Sequence, residues 1–301
     1  MNVVLLAIQD SSCVGAQYAK SLRAVGVNAT MFIKRKHPFD YPGQGTMFQN
    51  FSEIESYVQE ADVIHLMHSQ NVIPGIPLKG KKVVVSHTGT SYRIKPESLN
   101  KTFNPIVDLT IVGGDLSVNG AKNAVWTAGG VCNMDNLSAP SFNKKGNKLI
   151  VGHYPSSKKK GTTDVINAMT IVDQNKVDFR CEIKTVPWNE QMKRLRGCDV
   201  YIERLAQNSG FGIAALEAAA VGCIVVTTYA FKELYEKNVG KLGLISVNKQ
   251  KEMSLKIDEL ANMSDSELLE LKKKNYDWVM TNHSYEAVGN RLVNMYNGIK
   301  K

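Results

Sequence analysis

The chain has 301 residues, of which 43% are hydrophobic and 22% charged, the composition of a soluble globular protein with room for one large domain or two of ordinary size. No run approaches the roughly 20 apolar residues of a membrane span, and the five cysteines (Cys13, Cys132, Cys181, Cys198, Cys223) form neither a CxxC pair nor a Cys/His cluster with zinc spacing, which points to a reducing cytoplasm and no structural metal. The formal net charge of +9 is uneven: residues 1–140 carry twelve basic and ten acidic side chains, residues 141–301 twenty-five and eighteen.

Residues 3–8 are the first apolar run. No basic segment precedes it and Asp10 interrupts it, so it reads as a buried strand rather than a signal peptide. Further strand-length runs fall at 29–33, 63–67, 82–86 and 109–112, with helix-like stretches at 16–24 and 53–60. Residues 133–148 are rich in Asn, Ser, Pro, Lys and Gly without an apolar period, and read as a linker. The alternation restarts with strands at 148–152, 177–183, 200–202, 224–227 and 244–247, and helices at 163–172, 190–196 and 213–221. Residues 264–282 and 284–300 are helical by period, and Ser264-Asp265-Ser266-Glu267 resembles a capping box.

Strands alternating with helices predict parallel sheets covered on both faces. The expected organisation is therefore α/β, with two doubly wound Rossmann-like domains over 1–140 and 141–283. Ligands in such sheets bind beyond the carboxyl ends of strands, so chemistry is expected in residues that follow strands directly.

Three constellations do so. Cys198-Asp199-Val200-Tyr201-Ile202-Glu203 is a short strand; Asn208-Ser209-Gly210-Phe211-Gly212-Ile213 then opens a helix carrying Glu217. Gly210 and Gly212 allow close approach of backbone to a ligand, and the helix N-terminus favours a phosphate. Glu217, in the second turn, is suited to accept both hydroxyls of a ribose. Against this stands an ordinary helix start packed on a sheet; the whole string is more specific than a lone glycine pair. The second constellation is Gly152-His153 followed by Lys158-Lys159-Lys160-Gly161-Thr162-Thr163. A lysine run is by default a solvated turn, but between a strand and a helix it suits a diphosphate. Nucleic acid is disfavoured, because no binding motif accompanies the charge. The third is Thr185-Val186-Pro187-Trp188, where Trp188 is open to base stacking or to core packing.

The first string resembles the signature Glu-Gly-Phe-Gly-x-x-x-Leu-Glu-Ala-x-Ala-x-Gly of retaining GT-B glycosyltransferases of the Glu-x7-Glu class (glycosyltransferase group 1, family 4-like). The resemblance implies a metal-independent, cofactor-free transfer of a hexose from a nucleoside-diphosphate sugar to an acceptor, with retention. Glu217 matches the glutamate that holds the donor ribose. Ser209 stands where the family has its sugar-contacting glutamate, and Glu203, at the strand end, is a candidate substitute. Lys160 matches the lysine that neutralises the leaving diphosphate, His153 stands at the usual arginine, and Lys158 is a further candidate. Val186 falls where relatives hold the nucleobase, and Gly210, Phe211, Gly212 and Ile213 surround the donor.

In the first half, Gln9-Asp10-Ser11-Ser12-Cys13-Val14-Gly15-Ala16 is consistent with the acceptor-side loop of the family, at Gly15. His87-Thr88-Gly89-Thr90-Ser91-Tyr92-Arg93 resembles its His-Gly-x-Asp-x-Arg segment, which makes His87 a catalytic candidate. His65 and His68 read as structural histidines. The family also implies a final helix, 284–301, that crosses back to the first domain, and allows a peripheral contact with the cytoplasmic membrane face. The altered positions Ser209, His153 and Ser91 keep a catalytically silent nucleotide-sugar binder open, and less favourably a nucleotide-sugar epimerase. The sugar, the nucleotide and the acceptor stay open.

Overall fold

The computed structural model describes residues 1–70, 78–113, 120–128, 130–135, 137, 139–206 and 210–299. The chain forms two compact units, Met1–Val131 with Ser284–Lys301, and Cys132–His283.

Unit 1 opens with β1 (Asn2–Gln9), α1 (Val14–Ala24), β2 (Asn28–Arg35) and β3 (Thr46–Met47). It continues with α2 (Glu55–Glu60), β4 (Val63–Leu66), β5 (Lys82–His87), α3 (Gly89–Ile94), α4 (Pro96–Phe103), β6 (Leu109–Gly113) and β7 (Ala124–Thr127). The seven strands make one parallel sheet ordered β3-β2-β1-β4-β5-β6-β7, with Val4 paired to Thr30 on one side and Ile64 on the other. Strand order therefore reverses between β1 and β4. Both faces are covered, so β4 is buried throughout instead of alternating. Leu5, Ala7 and Ile33 pack with α1 on one face, while Leu6, Ile64 and Val85 pack with Ile54, Val58 and Phe103 on the other.

Unit 2 runs β8 (Leu149–His153), α5 (Thr162–Met169), β9 (Val177–Cys181), α6 (Trp188–Arg196), β10 (Val200–Ile202) and α7 (Ile213–Ala220). It then continues with β11 (Ile224–Thr227), α8 (Lys232–Asn238), β12 (Ile245–Ser246), α9 (Gln250–Ala261) and α10 (Asp265–His283). Its parallel sheet is ordered β12-β11-β10-β8-β9, with the reversal between β8 and β10. Leu149, Val151, Ile202 and Val226 pack against Val165, Met169, Ile257 and Leu260. Ala-rich α7 packs on α10 and on β11. The last helix, α11 (Tyr285–Asn297), belongs to unit 1 and lies along α1, where Gly289 touches the backbone of Ser21 so closely that a Cβ would meet its carbonyl oxygen at 2.1 Å.

Residues 133–148 differ from the expected linker. Ser141 donates its N–H to the Val221 carbonyl, and the Lys145 N–H reaches Asp199 Oδ1 at 3.0 Å. The Asn143 carbonyl accepts from Lys272 Nζ at 3.0 Å, and the same ammonium reaches Asp199 Oδ1 at 2.7 Å with both side chains fully buried. The segment is thus a strap bound to unit 2, and the unit boundary falls at 131/132. Among the described residues no helix is long and apolar enough to cross a membrane.

Candidate functional site

In unit 2 the carboxyl ends of β8 and β10 flank the point where strand order reverses, and the predicted residues gather there. His153 ends β8. Its Nδ1 faces the Ile202 carbonyl at 2.8 Å and its Nε2 faces Thr162 Oγ1 at 3.1 Å. A carbonyl only accepts, so Nδ1 carries the hydrogen and Nε2 accepts from the threonine. Burial pulls the pKa of His153 below its usual range, against the Ile202 carbonyl and Glu203, which favour the charged form. His153 ties β8 to β10 and to the start of α5.

Glu203 follows β10 and is buried. Lys160 Nζ pairs with its Oε1, Arg204 Nη2 reaches the same oxygen at 2.8 Å and Arg204 Nε reaches Oε2, and Thr227 Oγ1 donates to Oε2 at 3.1 Å. Burial raises its pKa, but the Lys160 and Arg204 cations outweigh burial and hold it at about 2. Both Glu203 oxygens are engaged by protein, and the carboxylate fixes Lys160 and Arg204. Lys160 itself is 30% exposed at the end of the turn Lys158–Lys160, whereas Lys158 and Lys159 are exposed to solvent without a fixed partner among the bonds described. Gly161 follows at φ +73°, and a Cβ there would lie 1.8 Å from the Leu205 carbonyl oxygen, so only glycine permits this turn against the β10 loop.

Gly212 is the cap of α7. A Cβ at Gly212 would stand 3.2 Å from Glu203 Oε1, 3.3 Å from Arg204 Nη2 and 3.4 Å from Lys160 Nζ. The start of α7 thus lies beside two cations and the carboxylate that holds them. Gly210 is buried and Ile213, half-buried, is the first helical residue. The ring of Phe211 packs among Tyr229, Tyr235, Trp278 and His283, with centroids 4.9 to 5.9 Å away. Phe211 therefore pins the loop to unit 2 through its side chain. Ser209 lies outside the described residues.

One turn into α7, Glu217 is 3% exposed and accepts the Trp188 indole N–H at 2.6 Å. Burial lifts its pKa to about 7, against the opposing hydrogen bond from Trp188. Trp188 and the neighbouring Val186 are buried, so the packing alternative holds for Trp188: its edge orients Glu217. No local motif signals this pair, whose members are 29 residues apart. Among the described residues no group of three or more His, Cys, Asp or Glu is placed to hold a metal ion.

In unit 1, His87 ends β5 fully buried, stacked on Tyr92 with centroids 4.1 Å apart, its Nδ1 2.9 Å from Ser69 Oγ. Burial pulls its pKa down to about 4. Its ring stands inside the fold. Gly15 gives its N–H to Asp10 Oδ1 at 2.8 Å, and its missing Cβ makes room for Met31, 2.7 Å from where that atom would be. Its N–H is therefore spent on Asp10. Asp10 also accepts from the Ala16 N–H at 2.8 Å and faces His68 Nε2 at 2.7 Å, and His68 Nδ1 lies 2.6 Å from Thr88 Oγ1. Sequence reasoning passed over Asp10 and treated His68 as structural, because the partners are 58 and 20 residues from it.

Two parallel doubly wound sheets of this order define an α/β protein of the GT-B glycosyltransferase fold. The fold is shared over the full chain with Anabaena Alr3699/HepE in complex with UDP and glucose, at 13% identity, 99% of each chain and a TM-score of 0.65. It is shared with an alpha-glucosyltransferase in complex with UDP-glucose and DNA containing an abasic site, at 11% identity, 98% of each chain and a TM-score of 0.71. Sucrose-phosphate synthase from Thermosynechococcus elongatus matches 99% of this chain and 98% of its own, at 14% identity and a TM-score of 0.61. No protein-family model and no curated protein matches the chain.

Proposed function

We propose that the protein is a glycosyltransferase that moves a sugar from a nucleoside-diphosphate sugar to an acceptor, with retention and without a metal. The observation that carries this is the gathering of Lys160 and Arg204, held by Glu203, beside Gly212 at the start of α7, where strand order reverses in unit 2. An oxyanion leaving group needs charge stabilisation that is already in place, and cations with free helix N–H groups supply it without reorganisation. Lys160 binds the diphosphate, held in position by Glu203. Glu217 takes the ribose, its carboxylate oriented by Trp188. UDP and UDP-glucose, bound by solved structures of the same fold, are the first ligands to test.

The engagement of both Glu203 oxygens favours one other reading, a nucleotide-sugar binder without turnover, since it leaves that carboxylate off the sugar. A thermal-shift series with UDP, GDP, ADP and UDP-glucose separates the possibilities. A nucleotide at 100 times its Kd adds about 2.7 kcal/mol of stability, and Lys160→Ala and Glu217→Ala abolish the shift. Release of UDP from UDP-glucose by the wild-type chain supports transfer; binding without release supports the silent binder. No shift with any nucleotide refutes both.

A further inference from the structure

The end of β2 and the loop after it join charge to aromatic rings. Residues 34–41 read Lys34-Arg35-Lys36-His37-Pro38-Phe39-Asp40-Tyr41. The three cations are exposed, and among the described residues the side chains of Arg35 and Lys36 pair with no carboxylate. Lys34 Nζ lies 5.4 Å from the centroid of the Phe48 ring, which steadies the ammonium without neutralising it. Lys20 of α1 adds a fourth cation, since a Cβ on Gly43 would lie 2.6 Å from its Nζ. Against these the loop has one carboxylate, Asp40.

The rings cluster on the same loop. His37 meets Phe39 at 4.6 Å between centroids and 83° between planes, and meets Tyr41 at 5.4 Å and 62°. In an edge-to-face contact the ring that offers its edge keeps both faces clear of that partner. All three rings are half-buried, and Tyr41 packs against the core that holds Met31 and Ile33. The loop is held in shape by its own bonds. Gln44 Oε1 accepts the His37 N–H at 2.7 Å, His37 Nδ1 accepts the Phe39 N–H at 3.2 Å, and Gln9 Nε2 donates to the Lys36 carbonyl at 3.1 Å. Gly43 turns at φ +66°, and Gly45 passes so close to Met31 that a Cβ would stand 2.8 Å from its carbonyl oxygen.

Three kinds of anionic surface attract such a loop, and the rings choose among them. A bilayer takes up large apolar side chains, but none of those in residues 34–45 stands exposed. A duplex keeps the faces of its bases stacked on one another, which leaves the rings unused. A single strand offers both a charged backbone and free base faces. Sequence alone disfavours nucleic acid for want of a binding motif; the folded loop reverses that expectation by bringing rings and cations together.

We propose that residues 34–45 form a binding site for single-stranded nucleic acid, with Lys34, Arg35 and Lys36 on backbone phosphates and His37 and Phe39 as the surface on which a base stacks. The site lies wholly within unit 1 and does not depend on the sugar transfer proposed above.

The test is fluorescence anisotropy of labelled oligothymidylate and oligouridylate, about 16 nucleotides long, titrated with the full chain. The expected Kd is on the order of 1–100 μM at physiological salt, and the logarithm of affinity should fall with the logarithm of salt at a slope of about −2, the value for three phosphates on a single strand. Binding of either strand supports the site, and the tighter one names its sugar. Arg35→Gln with Lys36→Gln should weaken binding by about tenfold or more and flatten the slope by about 1.4. Lys273→Gln with Lys274→Gln, which removes the same charge from exposed positions of α10, should change affinity by less than about threefold. Phe39→Leu should weaken binding by about 5–100-fold with the slope unchanged. All variants should keep the wild-type melting temperature. Equal losses in the two double variants, wild-type binding by Phe39→Leu, or equal affinity for a duplex overturns the proposal. So does displacement of the strand by UDP, or binding to vesicles of phosphatidylserine and phosphatidylcholine without binding to either strand.

Discussion

Replacing Glu217 by glutamine separates the stability of unit 2 from its proposed ligand affinity. The carboxyl is buried on α7 with a pKa lifted from 4.5 to about 7 by burial. A raised folded-state value means that the protonated form fits the fold better. The associated stability is present below pH 4.5 and is lost as pH rises through about 7. Between those limits the difference corresponds to about 3 kcal/mol, since each tenfold change in proton affinity is worth about 1.4 kcal/mol. At pH 8 the native chain carries the whole of that cost. Glutamine does not ionise and still accepts the Trp188 N–H, but its amide brings two donors that need partners, which returns about 1–2 kcal/mol. Glu217→Gln should therefore be more stable than wild type by about 1–2 kcal/mol at pH 8 and nearly equal to it at pH 5. Urea unfolding followed by tryptophan fluorescence reads this directly, because two of the three tryptophans, Trp188 and Trp278, lie in unit 2. The same variant should bind UDP about 10–100-fold more weakly, the worth of hydrogen bonds to a charged acceptor. A variant no more stable than wild type at pH 8 would refute the burial argument, and unchanged UDP affinity would refute the role in ribose binding.

Lys160→Met should destabilise the chain by about 2 kcal/mol at pH 7, below the usual loss for a broken buried pair because Lys160 is partly exposed and Arg204 remains. Glu203 has a depressed pKa, so its contribution is present above about 4.5 and lost as pH falls toward 2; the wild-type advantage in urea unfolding should shrink across that window, and a gap independent of pH contradicts the pairing. Lys272→Met strands Asp199 in the interior and should cost about 3–5 kcal/mol in chemical denaturation, part of which the double variant with Asp199→Asn recovers. Gly161→Ala combines positive φ with a Cβ in the Leu205 carbonyl and should cost at least about 3 kcal/mol by calorimetry; a wild-type melting temperature would show that the turn can move.

The legible parts of the fold and site are those whose signal is local. The apolar runs place β1, β4, β5, β8, β10 and β11 because strands buried on both faces need no alternation. The strands missed, β3 and β7, are short and lie at opposite edges of the sheet of unit 1. Lys160, Gly212 and Glu217 stand out because a strand, a glycine turn and a helix start lie close together in the chain. Burial and pairing are different in kind. Nothing in the spacing tells that Trp188 holds Glu217, that two cations claim Glu203, or that His87 turns inward while His68 pairs with Asp10 and Thr88. The strap at 133–148 was illegible for the same reason: its polar residues look like a linker until Lys272 and Asp199, far along the chain, are seen to bind its backbone.

The assignment of α11 to unit 1 sets an order of events during synthesis. Val288, Leu292, Tyr296 and Ile299 belong to the same apolar core as Leu5, Leu22 and Ile33. A ribosome finishes that core only after it has made the whole of Cys132–His283. At roughly 5–20 residues per second, the N-terminal sheet waits on the order of 10–30 s with one side of α1 bare to solvent. Unit 2, whose residues are continuous in the chain, has every partner it needs as soon as it emerges. The half that comes out first is thus the half that finishes last, and a stall in translation after residue 283 would release a chain with a complete second unit and an open seam along its first helix.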